Sequence, residues 1–294
     1  MRAIAWYREF APSEALRPHV RALFSFVPDC LARSPQRPLL REVGFSDLRS
    51  CSPQFADGHA SMLFELGRTC TLGGDWHMDS SALGGTVTGP KTAVGRIAAG
   101  DLPQMLGILF RPSAAVTSLV GVPLRALANR VIAIDDAWGI EGKGVAGELA
   151  DLDEAGRIDR IEAMLLNRLE TRLAPTSTVN VEGLAAFVLR QRGQIKVEAM
   201  ARAGGVSRQH LTREFHDRLG TTPKQYCRLA RFQSGLAYAG CRESVDWAQA
   251  AAAMSYTDQS HMIAEFRQFG GITPQVLASR DWFHPFIERA RRFA

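Results

Sequence analysis

The chain has 294 residues, of which 46% are hydrophobic and 22% charged, with a formal net charge of +5. That balance belongs to an ordinary globular protein and excludes a chain too polar to build a core, while the length favours two domains over one. The longest uncharged stretch near the middle, Pro112 to Leu124, is 13 residues, short of the roughly 18–20 that span a bilayer. Arg2, Arg8, Glu9, Glu14 and Arg17 interrupt any signal-peptide apolar region, so a cytoplasmic protein without a membrane partner is expected.

The first half carries short apolar runs separated by Gly, Pro, Asp and Ser. Ser61 to Gly67, Gly84 to Pro90 and Gln104 to Phe110 read as strands joined by turns, with Asp57-Gly58 as a hairpin turn, so residues 20 to 111 are expected to be β-rich. From Pro112 to Leu173 the pattern becomes helical. Ile158, Ile161, Leu165 and Leu169, with Met164 and Arg172 alongside, follow the i, i+3, i+4 rhythm of an amphipathic helix.

Ala174 to Asn180 is uncharged and rich in Pro, Thr and Ser, the composition of a linker. It divides the chain into a first domain, residues 1–173, a linker, 174–180, and a helical second domain, 181–294. The charge divides at the same place. Residues 181 to 294 hold 16 Lys+Arg against 10 Asp+Glu, whereas residues 1 to 180 hold 19 against 20. Residues 186 to 232 alone hold 10 basic and 3 acidic side chains. A concentration of this kind suits a polyanion, because neutralised phosphates release condensed counterions.

Within the basic half one pattern occurs twice. His210-Leu211-Thr212-Arg213-Glu214-Phe215 returns 51 residues later as His261-Met262-Ile263-Ala264-Glu265-Phe266, and Gly220, Thr222 and Pro223 return as Gly271, Thr273 and Pro274. In the first copy, about 197–219, Val197 to Ala203 reads as a short helix and Gly204-Gly205 as a turn. Ser207 then caps a helix that buries Leu211, Phe215 and Leu219. Its outer face presents Arg208, Gln209, Thr212, Arg213 and His216. In the second copy, about 248–270, Ala248 to Met254 supports, Ser255 to Thr257 turns and Asp258 caps. Met262 and Phe266 face inward, while Gln259, Ser260, Ile263, Ala264 and Arg267 face outward. Thr222-Pro223 opens one long helix between the copies, reaching to Ala239.

An outer face of this composition is what a recognition helix in the DNA major groove needs: Arg pairs with guanine O6 and N7, Gln with adenine, and a Thr methyl packs on thymine. The second copy is electrically neutral, since residues 233 to 294 hold 6 basic and 6 acidic side chains. Base reading is therefore expected mainly from the first copy, with the second contributing apolar and polar contacts and a phosphate contact from Arg267.

The segment from about Val181 to Trp282 resembles the DNA-binding domain of the AraC/XylS transcriptional regulators. The matching pieces are Met200-Ala201 to Val206-Ser207, Leu211 to Phe215, Gly220 to Pro223, Arg231-Phe232, Tyr256 to His261, and Phe266 to Pro274. Ser255 stands where the family usually has Gly, and Ala264 where it often has a basic residue. Phe110 to Ala115, Gly121-Val122-Pro123 and Asp135 to Gly139 more loosely resemble the effector domains attached to such regulators. The resemblance implies an α+β chain: a β-rich, barrel-like first domain with a helical segment, then an all-α domain of two helix-turn-helix subdomains joined by a long helix. It implies promoter DNA and RNA polymerase as partners and a homodimer through the first domain. Control would come from a small-molecule effector or, alternatively, from a protein partner.

No cofactor and no enzymatic activity are expected. The cysteines (Cys30, Cys51, Cys70, Cys227, Cys241) form no Cys-x-x-Cys pair, and no nucleophile–base pair can be written from the first half. His59, Glu65 and His77 lack metal-ligand spacing, and Trp76 and Phe110 are expected to be core. No effector-binding residue can be assigned from sequence.

Overall fold

The computed structural model describes residues 7–26, 51–66, 77–78, 84–98, 104–171, 179–240 and 245–278. Cys30, Cys70, Trp76, Cys241 and most of the 174–180 segment lie outside the described residues. The chain is α+β, with strands first and helices after.

The strands β1 (Tyr7–Phe10), β2 (Val20–Phe26), β4 (Ser61–Leu66), β5 (His77–Met78), β6 (Gly85–Thr88), β8 (Gln104–Phe110) and β9 (Arg130–Ala133) form a seven-stranded sheet in the order β1-β2-β8-β4-β6-β9-β5. Its pairings are antiparallel except β5 with β9. β3 (Cys51–Gln54) and β7 (Gly95–Ala98) form a separate antiparallel ribbon. The runs at 61, 84 and 104 are thus strands, as their apolar composition predicts. β9, short and with exposed Arg130 and half-buried Val131 and Ile132, falls inside the stretch read as helical.

Helices α1 (Val116–Val120), α2 (Leu124–Leu127), α3 (Ile134–Trp138), α4 (Val145–Ala150) and α5 (Glu154–Thr171) follow the sheet. Leu23, Met62, Phe64, Val87, Ile108 and Phe110 meet Leu119, Trp138, Ile161 and Leu165 in one buried core. Phe110 is core, as expected. Removing so much apolar surface from water, at roughly 25 cal/mol per Å², is the main drive for this half to fold.

α5 holds a departure from its amphipathic pattern. Arg168, one turn beyond Leu165, is 2% exposed. Its guanidinium lies 4.5 Å from the Trp138 ring centroid, its Nε donates to the Leu119 carbonyl at 3.0 Å, and it pairs with Glu141. A cation can be buried here because ring, carbonyl and carboxylate replace its water.

The helical half comprises α6 (Val181–Arg190), α7 (Val197–Ala203), α8 (Arg208–Leu219), α9 (Pro223–Gly240), α10 (Trp247–Ala253), α11 (Gln259–Gly270) and α12 (Pro274–Ala278). Leu184, Val188, Met200, Leu211, Phe215 and Tyr226 form a core around the first half of α9. Leu229, Phe232, Leu236, Trp247, Met262 and Phe266 form another around its second half.

That last core is completed from the sheet-bearing half. Phe55 and Ala56, which follow β3, are buried in it, with the Phe55 ring edge-on to Phe232 at 6.1 Å. The Ala56 amide donates to the Phe269 carbonyl at 2.8 Å, and the Val94 amide to the Gln268 carbonyl at 3.1 Å. Gln233 and Gln225 of α9 donate to the carbonyls of Asp57 (2.8 Å) and Thr92 (3.2 Å). The hairpin-turn reading of Asp57-Gly58 is therefore corrected. The flanking strands β3 and β4 pair in different sheets, and the residues between them pack on α9, with the buried Asp57 carboxylate 3.8 Å from the Lys91 ammonium.

Candidate nucleic-acid interface

Each unit is built by the same local chemistry. In the first, α7 ends at Gly204, and Gly205 takes φ +65°, a left-handed conformation that glycine adopts without steric cost. Ser207 then accepts the His210 amide at 3.2 Å and starts α8. In the second, α10 is capped by Asp246 and spans Trp247–Ala253, one residue earlier at each end than the Ala248–Met254 reading. Asp258 accepts the His261 amide at 2.8 Å and starts α11.

The two turns are not superimposable. The Val206 amide bonds to the Ala201 carbonyl and the Tyr256 amide to the Ala251 carbonyl, both at 3.0 Å, so supporting helix and turn repeat at an offset of 50. The recognition helices repeat at 51. The extra residue is Thr257, immediately before the cap, and Ser255 takes φ +57° where the first unit has Gly205.

On α8 the inner face is as read: Leu211, Phe215 and Leu219 are buried. Arg208, Gln209, Thr212, Arg213 and His216 are exposed. They are not equally available. Arg208 is paired to Glu198 at 2.9 Å, and the Thr212 hydroxyl donates to the Arg208 carbonyl at 2.8 Å. The Glu198 carboxyl is held below the usual carboxylate range by its backbone hydrogen bond first and by Arg208 second. Among the described residues Arg213 has no carboxylate within ion-pair distance. At the far end of α8, Asp217 meets Arg125 of α2 at 3.0 Å.

On α11, Met262 and Phe266 are buried, Ser260, Ala264 and Arg267 are exposed, and Gln259 and Ile263 are half-buried. The sequence reading missed Glu265, which is 1% exposed in the middle of this helix. Arg228 of α9 donates to it from Nε at 2.6 Å, reaches Gln268 at 2.6 Å, and stacks 5.0 Å from the Phe269 ring centroid. His261 Nε2 lies 3.6 Å from the same carboxylate. In the first unit the equivalent Glu214 is met by Arg218 of its own helix at 3.1 Å and by His210 at 3.6 Å. The available signal was the repetition itself: both copies place a Glu directly before a buried Phe, where an unpartnered carboxylate would be costly.

Elsewhere, His59 is half-buried and Glu65 buried, and among the described residues no three His, Cys, Asp or Glu side chains stand close enough to hold a metal. A cleft of about 260 Å³ opens beside Trp138, Met164 and Arg168. Among the described residues no helix is long and apolar enough to cross a membrane.

Two cores on one connecting helix, each with a capped second helix presenting a polar face, define a tandem helix-turn-helix arrangement. A family model described as a helix-turn-helix domain matches residues 200–280. This region is an AraC-type helix-turn-helix domain. The AraC-type match starts at Met200 in α7 and runs beyond α12, so it takes in both recognition helices and α9 between them. No curated protein sequence matches the chain. Among solved structures the chain is similar to ToxT from Vibrio cholerae, with 11% identity and a TM-score of 0.43 over 79% of this chain and 98% of that one. It is also similar to ToxT of strain SCE256 bound to an unsaturated fatty acid, with 11% identity and a TM-score of 0.42 over 79% and 93%.

Proposed function

We propose that the chain is a sequence-specific DNA-binding transcriptional regulator in which α8 reads bases and α11 mainly clamps the duplex. The observation that carries this reading is the pair of capped recognition helices held on α9 within an AraC-type domain, with positive charge gathered in residues 186–232 around the first. Helices fixed on one rigid element address successive major-groove faces about one turn of DNA apart. Arg213 and Gln209 supply the bidentate base contacts, Thr212 turns its methyl toward thymine, and Arg208 and His216 flank them. On α11, Ile263 and Ala264 give apolar contact, Gln259 and Ser260 polar contact, and Arg267 a phosphate contact.

Residues 1–173 form the regulatory domain in this reading, joined by 174–180 to the DNA-binding domain at 181–294. Its near-neutral charge and sheet-and-helix core suit a small-molecule effector better than a second nucleic-acid surface. Selection of bound duplexes from a random pool by the full-length chain tests the function: one enriched sequence is expected, and no enrichment over unselected DNA refutes it. Thermal stabilisation of the full chain by a small molecule from a metabolite panel would identify the effector. Specific co-purification of one protein with no stabilising metabolite would replace the effector by a protein partner.

A further inference from the structure

The turn between α6 and α7 reaches the second helix-turn-helix unit through one side chain. The Gln194 amide nitrogen donates to the Ala253 carbonyl at 2.8 Å, and its amide oxygen accepts the Ser255 hydroxyl at 3.0 Å. Ala253 closes α10, and Ser255 is the left-handed residue of the second turn. This is a hydrogen-bonded bridge between the units that does not run through α9.

Both ends of the bridge stand on uncommon backbone. Arg192 has φ +52° and Gly193 φ +71°, while Ser255 has φ +57°. Non-glycine residues occupy that region rarely and persist there when their surroundings hold them. At Gly193 a side chain is excluded, since a Cβ would lie 2.0 Å from the Cys227 carbonyl oxygen of α9. The turn is pressed against the connecting helix, which delivers Gln194 to its partners. From the other side Arg231 of α9 donates to the Ser255 carbonyl at 3.4 Å, its guanidinium 5.4 Å from the Tyr256 ring centroid.

We propose that Gln194 is a positioning residue that fixes the separation and relative rotation of the two recognition helices, and so makes the protein selective for the spacing between its two half-sites. Both units also touch the sheet-bearing half, the first through Asp217 and Arg125 and the second through Phe232 and Phe55. The Gln194 bridge, placed off the α9 axis, limits how far one unit can rotate against the other. B-DNA turns once in about 10.5 base pairs, so one inserted base pair rotates the second half-site by about 34°. A rigid pair of units rejects that insertion, and a hinged pair tolerates it. The inference rests on the DNA-binding reading.

The test uses full-length wild type, Gln194→Ala and Ser255→Gly. Affinities are measured by fluorescence anisotropy on duplexes selected by the wild type, with and without one base pair inserted between the half-sites, alongside thermal melts. Losing both hydrogen bonds should shrink the insertion penalty about tenfold in Gln194→Ala. Ser255→Gly should melt higher, because glycine relieves the left-handed position, and yet show a penalty about threefold smaller, because one hydrogen bond is gone. A residue that merely supported the fold would move stability and spacing selectivity together. If Gln194→Ala pays the wild-type penalty, the bridge has no such role. If the wild type selects no duplex at all, the DNA-binding reading falls and the proposal with it.

Discussion

Among the described residues Arg213 has no carboxylate within ion-pair distance, whereas Arg208 is already engaged by Glu198. An exposed ion pair is worth little in water, but it must be broken before Arg208 can bridge a guanine. Arg213→Ala should therefore weaken specific binding by about 1–3 kcal/mol and relax discrimination at the base it contacts. Unchanged footprints would show that α8 is not the reading helix. Arg267→Ala should weaken binding to all sequences alike and lower the salt slope by about one; a loss confined to one sequence would mean that Arg267 reads a base. Cys227 lies against the Met200 sulfur at 3.7 Å, and burial pushes its thiol up to about 11. It should resist iodoacetamide at pH 8 in the folded chain and react once denatured, as peptide mass spectrometry would show. Rapid labelling of the native chain would mean that this core opens.

At the scale of elements, the caps, turns and buried faces of both units were legible in the sequence, because Ser207, Asp258, Gly205 and the Leu211/Phe215 and Met262/Phe266 pairs act locally. The position of Thr257 as an inserted residue was not, since the 51-residue repeat is set by α8 and α11 and masks the 50-residue repeat before them. Arg168 and Glu265 escaped for a shared reason. Each is a charge on an apolar face, and its partners (Trp138 and Leu119 for one, Arg228 for the other) come from distant segments. The Arg228–Glu265 pair ties α11 to α9, and removing Arg228 leaves the buried Glu265 carboxylate without its main counter-charge. Arg228→Ala should cost about 3–5 kcal/mol of stability in chemical denaturation, while Arg218→Ala, whose partner Glu214 is less buried, should cost clearly less. Equal losses would mean that the pair adds nothing particular to the second unit.

For the whole molecule, the order of a sheet-bearing part and a helical part followed from composition and periodicity, and the charge division agreed with it. What sequence could not show is that the two parts share a core. Phe55 lies beyond β3 and packs on Phe232, a contact between residues far apart in the chain that no local pattern encodes. Phe55→Ala should destabilise the chain by about 3–5 kcal/mol. Hydrogen exchange should speed up in α10 and α11 as well as around β3; faster exchange confined to the sheet would show that the shared core is not a unit. The same interlock means that the DNA-binding half is best studied in the full chain.

In the proposed function the two recognition helices divide their labour, α8 reading and α11 clamping. That division is tested most directly by measuring the affinity of the full-length chain for its selected duplex with every base pair substituted in turn. Penalties of about 1–3 kcal/mol per base pair are expected in the half-site under α8, with small effects under α11. Equal penalties in both half-sites, or the larger ones under α11, would contradict it.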